Sequence, residues 1–140
     1  MKSGNEQDVK QAVQEMLDSL APGRFHCVYR KSAGKSVIDK PVDLEIRTST
    51  SPQRTLLAIE VANVNATQLV NETCRLYFDS CPLKLLVLGD RNVPRNGVEK
   101  CERLMARLYG QDDIENTPAR VIRYDDDENL KIALKELLLL

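Results

Sequence analysis

Two stretches decide the fold: Pro41-Val42-Asp43-Leu44-Glu45-Ile46-Arg47, and beyond a short loop Leu56-Leu57-Ala58-Ile59-Glu60-Val61-Ala62. In the first, Val42, Leu44 and Ile46 alternate with Asp43, Glu45 and Arg47, the period-two pattern of a strand with one apolar and one polar face. The second is apolar on both faces except at Glu60, as expected of a strand in mid-sheet covered by helices on both sides. The stretch Thr48 to Arg54, with Ser51-Pro52, is turn-forming. The two strands are therefore expected to be antiparallel neighbours in the middle of a sheet.

Upstream, Val9, Ala12, Val13, Met16, Leu17 and Leu20 recur at three- and four-residue spacing, which predicts a helix over 5–20 stopped by Pro22-Gly23. Phe25 to Arg30 alternates like a strand, and Lys31 to Lys40 is a polar connection containing Gly34. Downstream, a helix is expected over 66–79 with Leu69, Val70, Thr73, Leu76 and Tyr77 inward, then a buried strand Leu83–Leu88. Asn96 and Glu99 have capping-box spacing before a helix carrying Val98, Cys101, Leu104, Met105 and Leu108. A strand at Arg120–Tyr124 precedes a helix led by Asp125, Asp126 and Asp127, which suit the positive end of a helix, with Leu130, Ile132, Leu134 and Leu137 inward. The order α-β-β-β-α-β-α-β-α implies an α/β fold: a mixed sheet flanked by helices.

The chain has 140 residues, enough for one domain spanning 1–140, with hydrophobic residues at 42% and charged residues at 29%. Twenty basic against twenty-one acidic side chains leave a net charge of -1, so a strongly basic chain is excluded while a local basic patch is not. The longest apolar run, Leu137 to Leu140, is far shorter than the roughly 20 residues of a membrane span. It is too apolar for a solvated tail, and is expected either to close the core or to form a self-association surface. The opening segment is polar, which predicts a cytoplasmic chain. Cys27, Cys74, Cys81 and Cys101 are irregularly spaced and His26 is the sole histidine, so a zinc site is disfavoured and reduced, mostly buried thiols are expected. Gly34-Lys35-Ser36 lacks the earlier glycine of a phosphate-binding loop, that position being Tyr29.

Glu60 is the most conspicuous single residue. A carboxylate in an otherwise apolar strand costs several kcal/mol unless a charge offsets it. If the two strands pair around the 48–54 loop, Asp43 and Glu60 converge at one end of the sheet, and two converging carboxylates are the usual minimum for Mg²⁺. Such an ion can activate water and stabilise charge on a phosphodiester. The competing reading is a strand end at which Glu60 reaches solvent or pairs with Arg47.

Lys31-Ser32-Ala33-Gly34-Lys35, Val42-Asp43-Leu44 and Ile59-Glu60-Val61 stand in an order that resembles the PD-(D/E)XK, restriction-endonuclease-like nucleases, closest to the archaeal Holliday-junction resolvases. The resemblance spans roughly residues 5 to 90. It implies a restriction-endonuclease-like fold, metal-dependent hydrolysis of DNA phosphodiester bonds, and Mg²⁺ or Mn²⁺ held by Asp43 and Glu60. A first-helix glutamate, Glu6 with Glu15 in reserve, would be a further ligand. Asp43 and Glu60 are expected to point into one shared polar pocket near the first helix, and the resemblance favours a homodimer. The motif departs from the family at its lysine, two residues after the acid, where this chain has Ala62. Asn63 follows on the opposite face unless the strand bulges. Lysine orients water and stabilises transition-state charge, so either another cation (Lys35, Lys84 or Arg75) has moved in, or hydrolysis is lost and a nucleic-acid-binding or protein-interaction module remains. Residues 24–47 hold six basic side chains against three acids, a net of +3, whereas 111–129 hold seven acids against two arginines, a net of -5. Arg30, Lys31, Ser32 and Lys35 are thus the expected contacts to a phosphate backbone.

Overall fold

The computed structural model describes residues 5–30, 42–89 and 93–140. Its elements follow the expected order: α1 (Glu6–Leu20), β1 (Phe25–Tyr29), β2 (Leu44–Thr48), β3 (Thr55–Ala62), α2 (Ala66–Phe78), β4 (Leu83–Leu88), α3 (Gly97–Leu108), β5 (Ala119–Arg123) and α4 (Asp127–Leu138).

Local chemistry sets most of the helix starts. The side chains of Asn5, Asn65 and Asp126 accept backbone N–H bonds from the first turns of α1, α2 and α4, satisfying donors that a helix leaves unpaired. Asn96 occupies the corresponding place before α3 without making a side-chain cap, so the expected capping box does not form there. Pro22 and Gly23, the latter at φ +74°, turn the chain from α1 into β1.

The five strands lie in the order β1-β2-β3-β4-β5. β1, β2 and β3 are antiparallel, with Leu44 opposite Ile59. β3, β4 and β5 are parallel, joined by α2 and α3 as crossovers. The sheet is therefore mixed, and β3, where its two halves meet, pairs on both sides and is buried on both faces. Leu57, Ile59 and Val61 point to one side, where Val9, Val13 and Leu17 of α1 pack with Leu130, Leu134 and Leu137 of α4. Ala58 and Ala62 point to the other, against Leu69 and Leu76 of α2 and Cys101 and Met105 of α3. Among the described residues no helix is long and apolar enough to cross a membrane. The cysteines are free thiols, three of them buried.

Three expected placements differ, two inward and one outward. Val70 and Ile132 are half exposed, because the buried stripes run through Leu69, Thr73 and Leu76 and through Leu130, Ala133, Leu134 and Leu137, and an adjacent residue is turned by about 100°. Glu45, expected on a polar face, is buried. The leucine run divides: Leu137 is in the core, Leu138 and Leu140 pack at its margin, and Leu139, in the left-handed region at φ 57°, is 90% exposed. Accordingly, Leu137→Ala should cost about 2–4 kcal/mol in urea denaturation, while Leu139→Ala should stay within about 0.5 kcal/mol of the parent. Equal effects of the two substitutions would contradict this division of the run.

Candidate functional site

The antiparallel register that sets Leu44 opposite Ile59 brings Asp43, one residue before β2, level with Glu60 in β3. Asp43 Oδ2 accepts the Val61 N–H at 2.9 Å, so a side chain continues the ladder where the backbone pairing of β2 begins. Asp43 and Glu60 also share a hydrogen bond, and Glu60 is 1% exposed. Burial first, then the hydrogen bond and charge of Asp43 and the charge of Glu72, push the Glu60 carboxyl up to about 10, against the opposing pull of Arg75. Near neutral pH Glu60 therefore keeps its proton.

A cation reaches this pair from α2. Arg75 Nη1 lies 3.4 Å from Glu60 Oε2, and its side chain remains 30% exposed, so the site has an edge toward solvent. Arg47 does not pair with Glu60; its guanidinium bonds Glu45 at 3.1 Å. Lys84 is committed elsewhere: its ammonium donates to the carbonyls of Tyr77 and Asp79 at the C-terminal end of α2 and sits over the rings of Tyr77 and Tyr109. Burial lowers its pKa. Of the three cations considered from the sequence, Arg75 contacts the acid pair and Lys84 does not; Lys35 lies outside the described residues, as do Lys31 and Ser32.

The lysine position of the motif is closed. Ala62 is fully buried within the apolar cluster that also contains Leu69 and Leu88. The β3–β4 register runs unbroken from Leu57 to Ala62, so no bulge swings Asn63 onto the acid face; the irregularity lies at the other end of β3, where Leu56 is the extra residue opposite Ile46 and Arg47. Asn63 instead rests on Gly89, where an added Cβ would come within 1.7 Å of its Oδ1.

The expected position of the pair near the first helix is corrected. Glu60 follows the side-chain direction of Ala58 and Ala62, toward α2 and α3, whereas α1 packs on the opposite face. Glu6 stands exposed in the first turn of α1 and Glu15 is exposed further along it, both in the layer across the sheet from the pair. Arg30 belongs to a second polar cluster: its guanidinium binds the Asp79 carboxylate, lies 3.5 Å from Glu45 and donates to Cys81 Sγ at 3.0 Å. Glu45 accepts in addition from the Thr55 hydroxyl at 2.7 Å. Despite burial, these partners hold Glu45 and Asp79 below their usual values and Arg30 above its own. Asp79 and buried Glu45 went unrecognised in the sequence, where nothing links Arg30 to a residue 49 positions away.

Asp43 and Glu60 are hard oxygen donors, suited to Mg²⁺ or Mn²⁺, which retain several waters beside one or two carboxylates. Among the described residues no group of three or more His, Cys, Asp or Glu side chains is arranged to hold a metal ion. No protein-family model and no curated protein matches the chain.

Two outcomes follow from this geometry. Because the folded carboxyl is raised above the usual value of 4.5 to about 10, the native state holds the extra proton between those values. Its stability therefore falls as pH rises through that window, by up to about 1.4 kcal/mol per pH unit. Glu60→Gln, which keeps the shape and removes the titration, should flatten the dependence and gain stability over the parent from pH 5 to pH 9, read by urea denaturation in EDTA; parallel curves would refute the assignment. Arg30→Ala leaves Asp79 and Glu45 unmatched and should cost about 1–3 kcal/mol in the same assay, a loss that a purely phosphate-binding arginine would not show.

Proposed function

We propose that this chain is a restriction-endonuclease-like domain of the PD-(D/E)XK kind, a metal-dependent nuclease acting on DNA phosphodiesters, in which Asp43 and Glu60 are the ion ligands and Arg75 stands in for the missing lysine. The observation that carries the reading is the buried Asp43–Glu60 pair at the junction of the antiparallel and parallel strands, with the Arg75 guanidinium 3.4 Å from Glu60. The element order supports it: one helix, three antiparallel strands, then a crossover to a parallel strand.

Asp43 and Glu60 would hold the Mg²⁺ or Mn²⁺, which would supply charge neutralisation at the phosphate and a lowered pKa of water. The chain's own residues do the rest. The Val61 N–H fixes one oxygen of Asp43 and so orients the carboxylate. Glu60 must lose its proton to act as an ionised ligand, so affinity for the ion should rise with pH. Arg75 offers a permanent positive charge at the solvent edge, where it can stabilise charge developing on a phosphate oxygen, although it cannot serve as a base at neutral pH.

A second reading rests on Ala62. Its full burial leaves the usual lysine position apolar, which favours a domain that keeps the fold and binds nucleic acid or protein without cutting. Incubation with duplex, branched and single-stranded DNA and with RNA, in Mg²⁺ or Mn²⁺, separates the two. Under the nuclease reading, cleavage is abolished by Glu60→Gln and Asp43→Asn and falls by about a hundredfold in Arg75→Ala, with partial recovery in Arg75→Lys. Salt-dependent binding without cleavage, unchanged by Glu60→Gln, would establish the binding module instead.

A further inference from the structure

β5 is an edge of the sheet, and a groove of about 360 Å³ runs along its outer side between α3 and α4. Val121 forms part of its floor; Val98 and Glu102 of α3 line one wall, and Ile132 and Glu136 of α4 the other. The phase of the β4–β5 ladder is set by the Lys84 N–H donating to Pro118 and the Tyr124 N–H donating to Leu88. In a parallel ladder of this phase, the N–H and C=O of Ala119, Val121 and Arg123 point away from β4. The ends of this edge are blunted by side chains. The Thr117 hydroxyl accepts the Ala119 N–H, the Arg120 guanidinium covers the carbonyls of Ile114, Thr117 and Ala119, and Asn129 donates to the Arg123 carbonyl. None of these caps reaches Val121, which lines the groove with 5% of its surface exposed.

The charge around the groove selects what could pair there. Glu102 and Glu115 line both this groove and an adjoining recess where, with Glu99, Asp112 and Asp113, they outnumber the one cation, Arg103. Burial and these neighbouring acids raise the Glu102 carboxyl, a strain that an incoming cation would relieve. Arg120 is already engaged by Glu136 at 2.8 Å, and Arg123 by the Pro94 carbonyl at 2.7 Å. A second copy pairing β5 against β5 would bring two acidic rims together, which like-charge repulsion opposes.

We propose that β5 accepts an extended, basic peptide segment of a partner protein as a sixth strand, with main-chain bonds to Val121 and Lys or Arg side chains reaching Glu102 and Glu115. The proposal is independent of the reading of the acid pair.

The test uses the whole chain and a capped hexapeptide alternating Lys and Val, with a Glu/Val peptide as control. Amide shifts mapped by NMR should concentrate at Val121 and Arg123 on addition of the Lys/Val peptide. Calorimetry should show binding that weakens with salt and is absent for the Glu/Val peptide. Val121→Pro removes an N–H that the β4 ladder does not use and should weaken binding at least about tenfold. Should that variant misfold, Glu102→Lys with Glu115→Lys, both on the groove rim, should reverse the preference toward the Glu/Val peptide. Unmoved β5 amides at millimolar peptide, or equal binding of both peptides, would overturn the proposal. So would concentration-dependent self-association lost on charge reversal, which would make the occupant a second copy.

Discussion

A carboxyl group inside the central strand is a cost that the surrounding structure has to meet, and the arrangement of β2, β3 and α2 is organised around meeting it. Glu60 lies where the antiparallel and parallel halves of the sheet join, on a strand paired on both sides and covered on both faces. Its carboxyl is accommodated in three ways: it keeps a proton, it bonds Asp43, and it lies within reach of Arg75. Asp43 in turn is held by the Val61 N–H. The first turn of pairing between β2 and β3 is therefore coupled to the ionisation state of the acid beside it. An apolar residue in place of Glu60 would have met the needs of packing at lower cost.

The charges of the molecule divide along the same sheet face. Beside the acid pair lies the cluster of Arg30, Glu45, Arg47, Thr55 and Asp79, with Lys84 closing the end of α2 nearby. In this second cluster every charge meets an opposite one or a set of carbonyl oxygens, and the shifts of Arg30, Glu45 and Asp79 all favour the ionised forms. The acid pair does the opposite, keeping its proton. Two buried polar groups on one face thus differ in kind: one is an ion network whose charges are paired, although Arg47 Nε is buried without a hydrogen-bond partner, and the other is an acid pair in which Glu60 keeps its proton. The positive balance of residues 24–47 is correspondingly less available to a polyanion than its count suggests, because Arg30 and Arg47 are engaged within the fold.

Much of this was legible in the sequence. The element order was readable from period-two and helical patterns, since each depends on side chains a few residues apart within one element. Glu60 stood out because a lone acid in the run Leu56 to Ala62 breaks a fully apolar pattern, and its meeting with Asp43 followed from the short connection between the strands. The exposure of Val70 and Ile132 was harder to read, because a helical stripe tolerates a neighbouring apolar residue at its margin. Which cation would serve Glu60 was left among Lys35, Lys84 and Arg75, three residues indistinguishable by charge.

What the tertiary structure decided was the layer in which each charged group lies. α1 covers one face and α2 the other, so Arg75 arrives beside Glu60 while Glu6 and Glu15 are on helix α1 across the sheet. The Arg30–Asp79 pair joins residues 49 positions apart, and the open edge at β5 exists because the parallel half of the sheet ends there. The sequence by itself determined the period of each element, and hence which residues share a face. Which face meets which helix depends on crossovers and strand register, long-range choices made by burying the largest apolar area at once, and no local pattern along the chain encodes them.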